Sequence, residues 1–87
     1  MYHVYILRCA DGSLYTGITT ELERRVKEHN ANDSHLGSKY VYARRPAVLV
    51  WSRTFADRSF ASVEEARIKR LDRKGKLAII ETGSVVM

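Results

Sequence analysis

The sequence predicts an α+β domain: a small, mostly antiparallel three-stranded sheet flanked by helices, in the order β-β-α-β-α-α. Three patterns carry that expectation. Two short apolar runs flank an Asp-Gly turn signal within the first twenty residues, which marks an antiparallel hairpin. A third run of strand character, Ala47-Val48-Leu49-Val50-Trp51, stands apart from them. Between and after these runs lie segments with apolar residues at three- and four-residue spacing, the helical period.

Residues 2–8, Tyr-His-Val-Tyr-Ile-Leu-Arg, are β-branched and aromatic and read as the first strand. Ala10-Asp11-Gly12-Ser13 turns the chain, and residues 14–19 read as the returning strand. A turn at Asp11-Gly12 pairs residue i with 23 − i or 24 − i, which sets Tyr5 near Ile18, one step past Gly17. Thr20 and Glu23 form a capping box, and Leu22 and Val26 give the following helix one apolar stripe. Asn30 to Ser34 ends that helix and opens a polar loop through Ser38.

After Pro46, residues 47–51 read as the most buried strand in the chain, extending to about Phe55. Asp57 or Ser59 caps a second helix reaching about Leu71. Phe60, Val63 or Glu64, Arg67 and Leu71 fall on one face of it; Ala61, Glu65, Ile68 and Asp72 fall on the next. Arg73-Lys74-Gly75 breaks the pattern, and residues 76–81 read as a short third helix with Leu77 and Ile80 inward. Residues 1–82 are expected to form the domain and 83–87 a loose tail.

A chain of 87 residues supports one small domain, too short for a dinucleotide-binding fold with a substrate domain or for an eight-fold barrel. Its active site would lie at the surface, in a groove or on a sheet face. Fifteen Lys and Arg against ten Asp and Glu give a net charge of +5, and ten of the fifteen are Arg. That balance suits an anionic partner, and the planar guanidinium suits phosphate in particular. The single cysteine, Cys9, excludes an intrachain disulfide framework and a zinc site built on paired cysteines. It sits in an apolar run and reads as a packed thiol in a reducing, cytoplasmic setting. No apolar stretch reaches the roughly 18–20 residues that span a membrane, and no signal-peptide pattern opens the chain, so no membrane partner is expected.

Tyr5 and Tyr15 flank the same hairpin turn, Gly17 opens space beside them, and Arg25 and His29 share one helix face. Glu65 lies on the second helix. Tyr, Arg, His and a carboxylate are the inventory of metal-assisted phosphodiester cleavage. The carboxylate holds a hydrated Mg²⁺, the Arg holds the scissile phosphate, and a hydroxyl or imidazole handles the proton of the attacking water. Each residue also has an ordinary role open to it: tyrosines in a core, a solvated Arg, a His complementing the helix dipole, and Ser62 to Glu65 as a capping box.

These residues resemble the GIY-YIG endonuclease superfamily, in its small stand-alone branch. The resemblance rests on His3-Val4-Tyr5, Tyr15-Thr16-Gly17, Arg25 and His29, Gly37 to Tyr40, Arg44-Arg45-Pro46, and Glu65 to Leu71. It runs from about Tyr2 to Ile80. His-Val stands where the first motif has Gly-Ile, and Thr replaces the Ile of the second. The resemblance implies that Tyr5 acts as general base or orients the water, that Tyr15 helps position and polarise it, and that Gly17 permits close strand packing. It implies further that Arg25 contacts the scissile phosphate, that His29 is a polar active-site residue, and that Glu65 holds one divalent ion, Mg²⁺ or Mn²⁺. Glu64 is the competing ligand if the register slips by one. Glu65 inside the second helix also favours Asp57 or Ser59 as its cap.

The stretch 67–76 holds six basic residues and one acidic, a balance of +5 that equals that of the whole chain. Within it Lys69, Arg70 and Arg73 are expected to contact a nucleic-acid backbone. Lys39, Arg44 and Arg45, interleaved with Tyr40 and Tyr42, form a second candidate surface, on which Tyr40 can stack against bases. The partner expected is DNA, single-stranded and branched forms included. The rival reading is a nucleic-acid-binding module of the same fold that cuts weakly or not at all.

Overall fold

The computed structural model of the chain describes residues 1–33 and 36–86, the last three as backbone alone. Strands β1 (Tyr2–Arg8) and β2 (Leu14–Thr19) form the predicted hairpin; α1 (Leu22–Asn30) and a four-residue α2 (Lys39–Tyr42) follow, then β3 (Val48–Phe55), α3 (Arg58–Arg70) and α4 (Arg73–Val86). The three-stranded antiparallel sheet has the order β2-β1-β3. The α+β architecture is the one predicted, with α2 as an added helical turn in the long connection.

Placing β1 in the centre decides burial. Val4, Ile6 and Leu7 are wholly enclosed, and Tyr5 is 1 % exposed. The strand expected to be most buried, β3, is instead an edge: Val48 and Leu49 are exposed and only Ala47, just before it, is buried. An apolar run alone does not distinguish a central strand from an edge whose outer face is solvated.

The hairpin closes on three residues, not two. Gly12 N–H donates to Cys9 O, Cys9 N–H to Ser13 O, and Gly12 takes a φ of 86°. This is a turn followed by a left-handed residue, which glycine adopts without a Cβ penalty. Asp11 Oδ1 accepts from both the amide and the hydroxyl of Ser13. The register therefore pairs residue i with 22 − i, and Tyr5 faces Gly17 directly instead of the Ile18 region.

The sheet separates two apolar layers. Val4 and Ile6 pack with Ala61 and Ile68 of α3, joined by Trp51, Ile79 and Ile80. Tyr5, Leu7, Cys9, Val41 and Ala47 form the other layer, with Tyr15 and with Leu22 and Val26 of α1 against it. Cys9 is the packed thiol the sequence suggested, and burial pushes its pKa up.

Several local expectations are corrected. The Thr20–Glu23 capping box does not form: Glu21 is the N-cap without a side-chain bond, and Thr19 Oγ1 takes the Glu21 amide. On α3, Asp57 caps by accepting from Ser59 N–H at 2.6 Å. Its inner face carries Ala61 and Ile68, while Phe60 and Val63 are more than two-thirds exposed. Helix α4 begins at Arg73, with Gly75 inside it, because Asp72 Oδ1 accepts the Gly75 amide as a cap. Ile80 faces inward as expected, joined by Ile79, while Leu77 is exposed. The helix continues past Thr82 to Val86; Gly83 lets it pass Trp51, whose indole a Cβ there would overlap. Of the tail expected over 83–87, Met87 and the side chains of 84–86 lie outside the described residues.

Candidate active site

Tyr5 and Tyr15 share one sheet face. With Tyr5 opposite Gly17 and Leu7 opposite Tyr15, the two tyrosines are diagonal neighbours, their ring centroids 6.5 Å apart at 43°. The Tyr5 ring lies across Gly17, and a Cβ at that position would overlap its hydroxyl end. The glycine is thus the space the phenol occupies.

Helix α1 delivers two further groups to the same place. His29, in its last turn, is 1 % exposed, and its Nε2 lies 2.8 Å from Tyr5 Oη. Its ring stands edge-on to Tyr15 at 5.2 Å between centroids. Arg25, one turn earlier, lies beside the phenol; its Nη1 donates to Glu28 Oε1 at 3.1 Å and to Leu36 O at 2.8 Å. Tyr40 of α2 stacks on Tyr15 at 6.1 Å and 27°. Tyr5, Tyr15, Arg25 and His29, scattered over 25 residues of sequence, are thereby gathered into one cluster.

Glu65 approaches from α3, close enough that its carboxylate raises the Tyr5 pKa. Its neighbour Glu64 turns elsewhere. Glu64 accepts a two-pronged bond from Arg67 at 2.7 and 2.9 Å and faces Arg53 at 3.6 Å, beside Trp51. Arg67 holds the Glu64 carboxyl below its ordinary range. Glu65 is half-buried and meets a looser partner, Lys69 Nζ at 3.4 Å.

Burial dominates the site's proton chemistry. It pushes the Tyr5 phenol up to about 12, with Tyr15 and Glu65 adding to the effect and Arg25 opposing it. Burial, then the neighbouring Arg25 charge, pulls His29 down to about 4, so the imidazole is neutral at pH 7. Burial lowers Arg25, but its bonds to Glu28 and Tyr5 outweigh that and raise it.

The donor set fits a hard, hydrated divalent cation. Among the described residues there is no group of three His, Cys, Asp or Glu side chains that could hold a metal. A half-buried carboxylate such as that of Glu65 matches an ion such as Mg²⁺, which keeps several waters and takes one or two protein oxygens. It does not match a four-ligand zinc centre.

The candidate nucleic-acid residues divide. Lys69, with Lys76, lines a shallow cleft beside Tyr15, Thr16 and Tyr40. Arg44 lies 3.8 Å over the Tyr40 ring and pairs with Asp11 at 3.1 Å. Lys39 and Arg70 are exposed. Arg45 is turned inward to the fold, donating to Ala31 O, Asn32 Oδ1 and Tyr42 O. Arg73 Nη1 donates to Gly12 O at 2.6 Å and so ties α4 to the hairpin turn. The basic stretch 67–76 is therefore split: Arg67 faces away from the tyrosines, while Lys69 and Lys76 reach them. Four features have no counterpart among the expected site residues: the Ser38 amide at His29 Nδ1, Gly37 packed on α1, Lys76 in the cleft, and the buried Thr16 Oγ1, which has no hydrogen-bond partner among the described residues. The Gly-Ser pair ahead of α2 was the one available signal.

The family model described as the GIY-YIG catalytic domain matches residues 1–78. A UPF0213 protein of Halobacterium salinarum is 47% identical over 79 residues, covering 91% of this chain and 99% of its own. Another, of Desulfotalea psychrophila, is 48% identical over 80 residues, covering 92% and 71%. Two proteins solved by solution NMR are similar in structure. One, from E. faecalis, has 39% identity and a TM-score of 0.65, covering 97% of this chain and 86% of its own. The other, a UPF0213 protein of Bacillus halodurans, has 40% identity and a TM-score of 0.61, covering 94% and 85%.

Proposed function

The chain belongs to the GIY-YIG catalytic-domain family, a nuclease-type domain, and from that premise we propose that it is a Mg²⁺-dependent endonuclease hydrolysing phosphodiester bonds in DNA. One observation carries the reading: Tyr5, Tyr15, Arg25 and His29 meet in a single cluster within electrostatic reach of the Glu65 carboxylate.

In this proposal Arg25 holds the scissile phosphate and counters its developing charge; its hold on Leu36 O and Glu28 keeps the guanidinium in place before substrate arrives. Tyr5 orients the attacking water. Removing its proton at pH 7 costs about 7 kcal/mol when its pKa is about 12. The phenol therefore rests as a hydroxyl; to take up the water's proton it must first release its own to solvent, which it does only when cations beside it outweigh burial. Arg25 is one such cation. A divalent cation on Glu65, when bound, supplies Lewis-acid stabilisation of the phosphate and cancels the carboxylate's upward push on the phenol. Tyr15 packs against Tyr5 and His29 and fixes both rings.

The raised phenol also favours the second reading, a module that binds nucleic acid and cuts weakly. A panel of single-stranded DNA, duplex, flap and RNA substrates with Mg²⁺ separates the two. The nuclease reading expects metal-dependent cleavage that Tyr5→Phe and Arg25→Ala lower by 100-fold or more. Binding of every substrate with no cleavage of any would overturn it.

A further inference from the structure

Segment 36–38 touches the catalytic helix at three points, and none of its residues was among the expected site residues. Leu36 O accepts from Arg25 Nη1 at 2.8 Å. Gly37 lies flat on α1, where a Cβ would come within 2.7 Å of His29 Cα and 3.0 Å of Glu28 O. Ser38 N–H donates to His29 Nδ1 at 3.3 Å. The segment is itself anchored: Ser38 Oγ accepts from Val41 N–H and Ser38 O from Tyr42 N–H, so it caps and starts α2.

A neutral imidazole carries one proton, and the nitrogen that accepts a hydrogen bond cannot also hold it. His29 is almost wholly buried, so no bulk water competes for Nδ1. We propose that the Ser38 backbone amide fixes His29 as its Nε2–H tautomer, so that His29 donates to the Tyr5 oxygen instead of receiving the Tyr5 proton.

The assignment sets the polarity of the pair. With Nε2–H pointing at Oη across 2.8 Å, the Tyr5 hydroxyl proton is not spent on His29 and is directed away from it. Arg25 favours the charged oxygen that forms whenever Tyr5 gives its proton up, and an Nε2–H donor on that oxygen acts in the same direction. The catalytic meaning of this arrangement rests on the nuclease reading; the tautomer itself does not. Ser38 is a positioning residue acting through its main chain, which is why its side-chain chemistry offers no hint of the role.

A substitution can delete that one N–H. Ser38 has φ −72° and ψ 141°, inside the range proline requires, and the residue before it is glycine. Ser38→Pro removes the amide proton together with the hydroxyl, and Ser38→Ala removes the hydroxyl alone. The measurement is long-range ¹H–¹⁵N correlation of the His29 ring at pH 7, without metal or substrate, assigned by its loss in His29→Gln. The Nε2–H pattern is expected in the native protein and in Ser38→Ala, and a shift to Nδ1–H or a mixture in Ser38→Pro. An Nδ1–H ring in the native protein overturns the proposal, as does an Nε2–H ring in Ser38→Pro. Should Ser38→Pro fail to fold, Gly37→Ala displaces the same amide, and an unchanged Nε2–H ring there overturns it too. Because no DNA is present, a protein that never cuts can still pass, and one that cuts can still fail.

Discussion

A phenol, an imidazole and a glycine fit together at Tyr5 by subtraction: the hydroxyl end fills the volume a side chain at position 17 would need. Gly17→Ala should cost about 1–3 kcal/mol through overpacking and displace the Tyr5 hydroxyl. A lower urea midpoint together with reduced cleavage checks it. His29 makes a second prediction. Its pKa falls from 6.5 to about 4 on folding, so the unfolded chain binds the extra proton between those values. Stability present above pH 6.5 is then lost as the pH drops through 4, by about 3 kcal/mol in all. Urea titrations across that window should show a steeper loss in the native protein than in His29→Gln. The identities of these residues were legible from spacing and from the resemblance. Their environment was not: neither the depth of burial nor the amide at Nδ1 leaves a mark in the sequence around position 29.

Elements were easier to find than to place. The hairpin, α1 and α3 follow from local patterns, and the Asp57 cap is one of the two acceptors, Asp57 and Ser59, that the sequence offers before a helical period. Asp57→Ala should cost about 1 kcal/mol, read as a shift in thermal midpoint. What local patterns missed were choices made by particular contacts, some local and some distant. The hairpin closes over one more residue than Asp-Gly alone suggests, because Ser13 ties back to both Asp11 and Cys9. Phe60 lies outside, and Ala61 and Ile68 are the α3 residues that pack against β1. The start of β3 is held by Asn30, whose amide accepts from Ala47 N–H at 2.7 Å and donates to Ala47 O at 2.9 Å. Asn30→Ala leaves both Ala47 groups without that partner and should cost about 1–3 kcal/mol, measurable by chemical unfolding.

Over the whole molecule, the excess of positive charge is real but divided. Arg45, Arg67 and Arg73 are engaged by the fold, while Lys69 and Lys76 border the tyrosine cleft. Sequence shows the run of basic residues; only the packing of α3 and α4 shows which of them turn toward the site. Binding of DNA should weaken steeply with salt, and Lys69→Ala with Lys76→Ala should flatten the dependence of log K on log salt by about 1–2, a change fluorescence anisotropy resolves. Among the described residues no helix is long and apolar enough to cross a membrane.

The same packing separates the adjacent carboxylates, Glu65 toward Tyr5 and Glu64 toward Arg53 and Arg67. Nicking of supercoiled plasmid with Mg²⁺ by the native protein, Glu65→Gln and Glu64→Gln decides whether Glu65 is the metal-holding carboxylate of a nuclease. Metal-dependent nicking is expected, lost in Glu65→Gln and retained in Glu64→Gln. Nicking by Glu65→Gln at the native rate would contradict it.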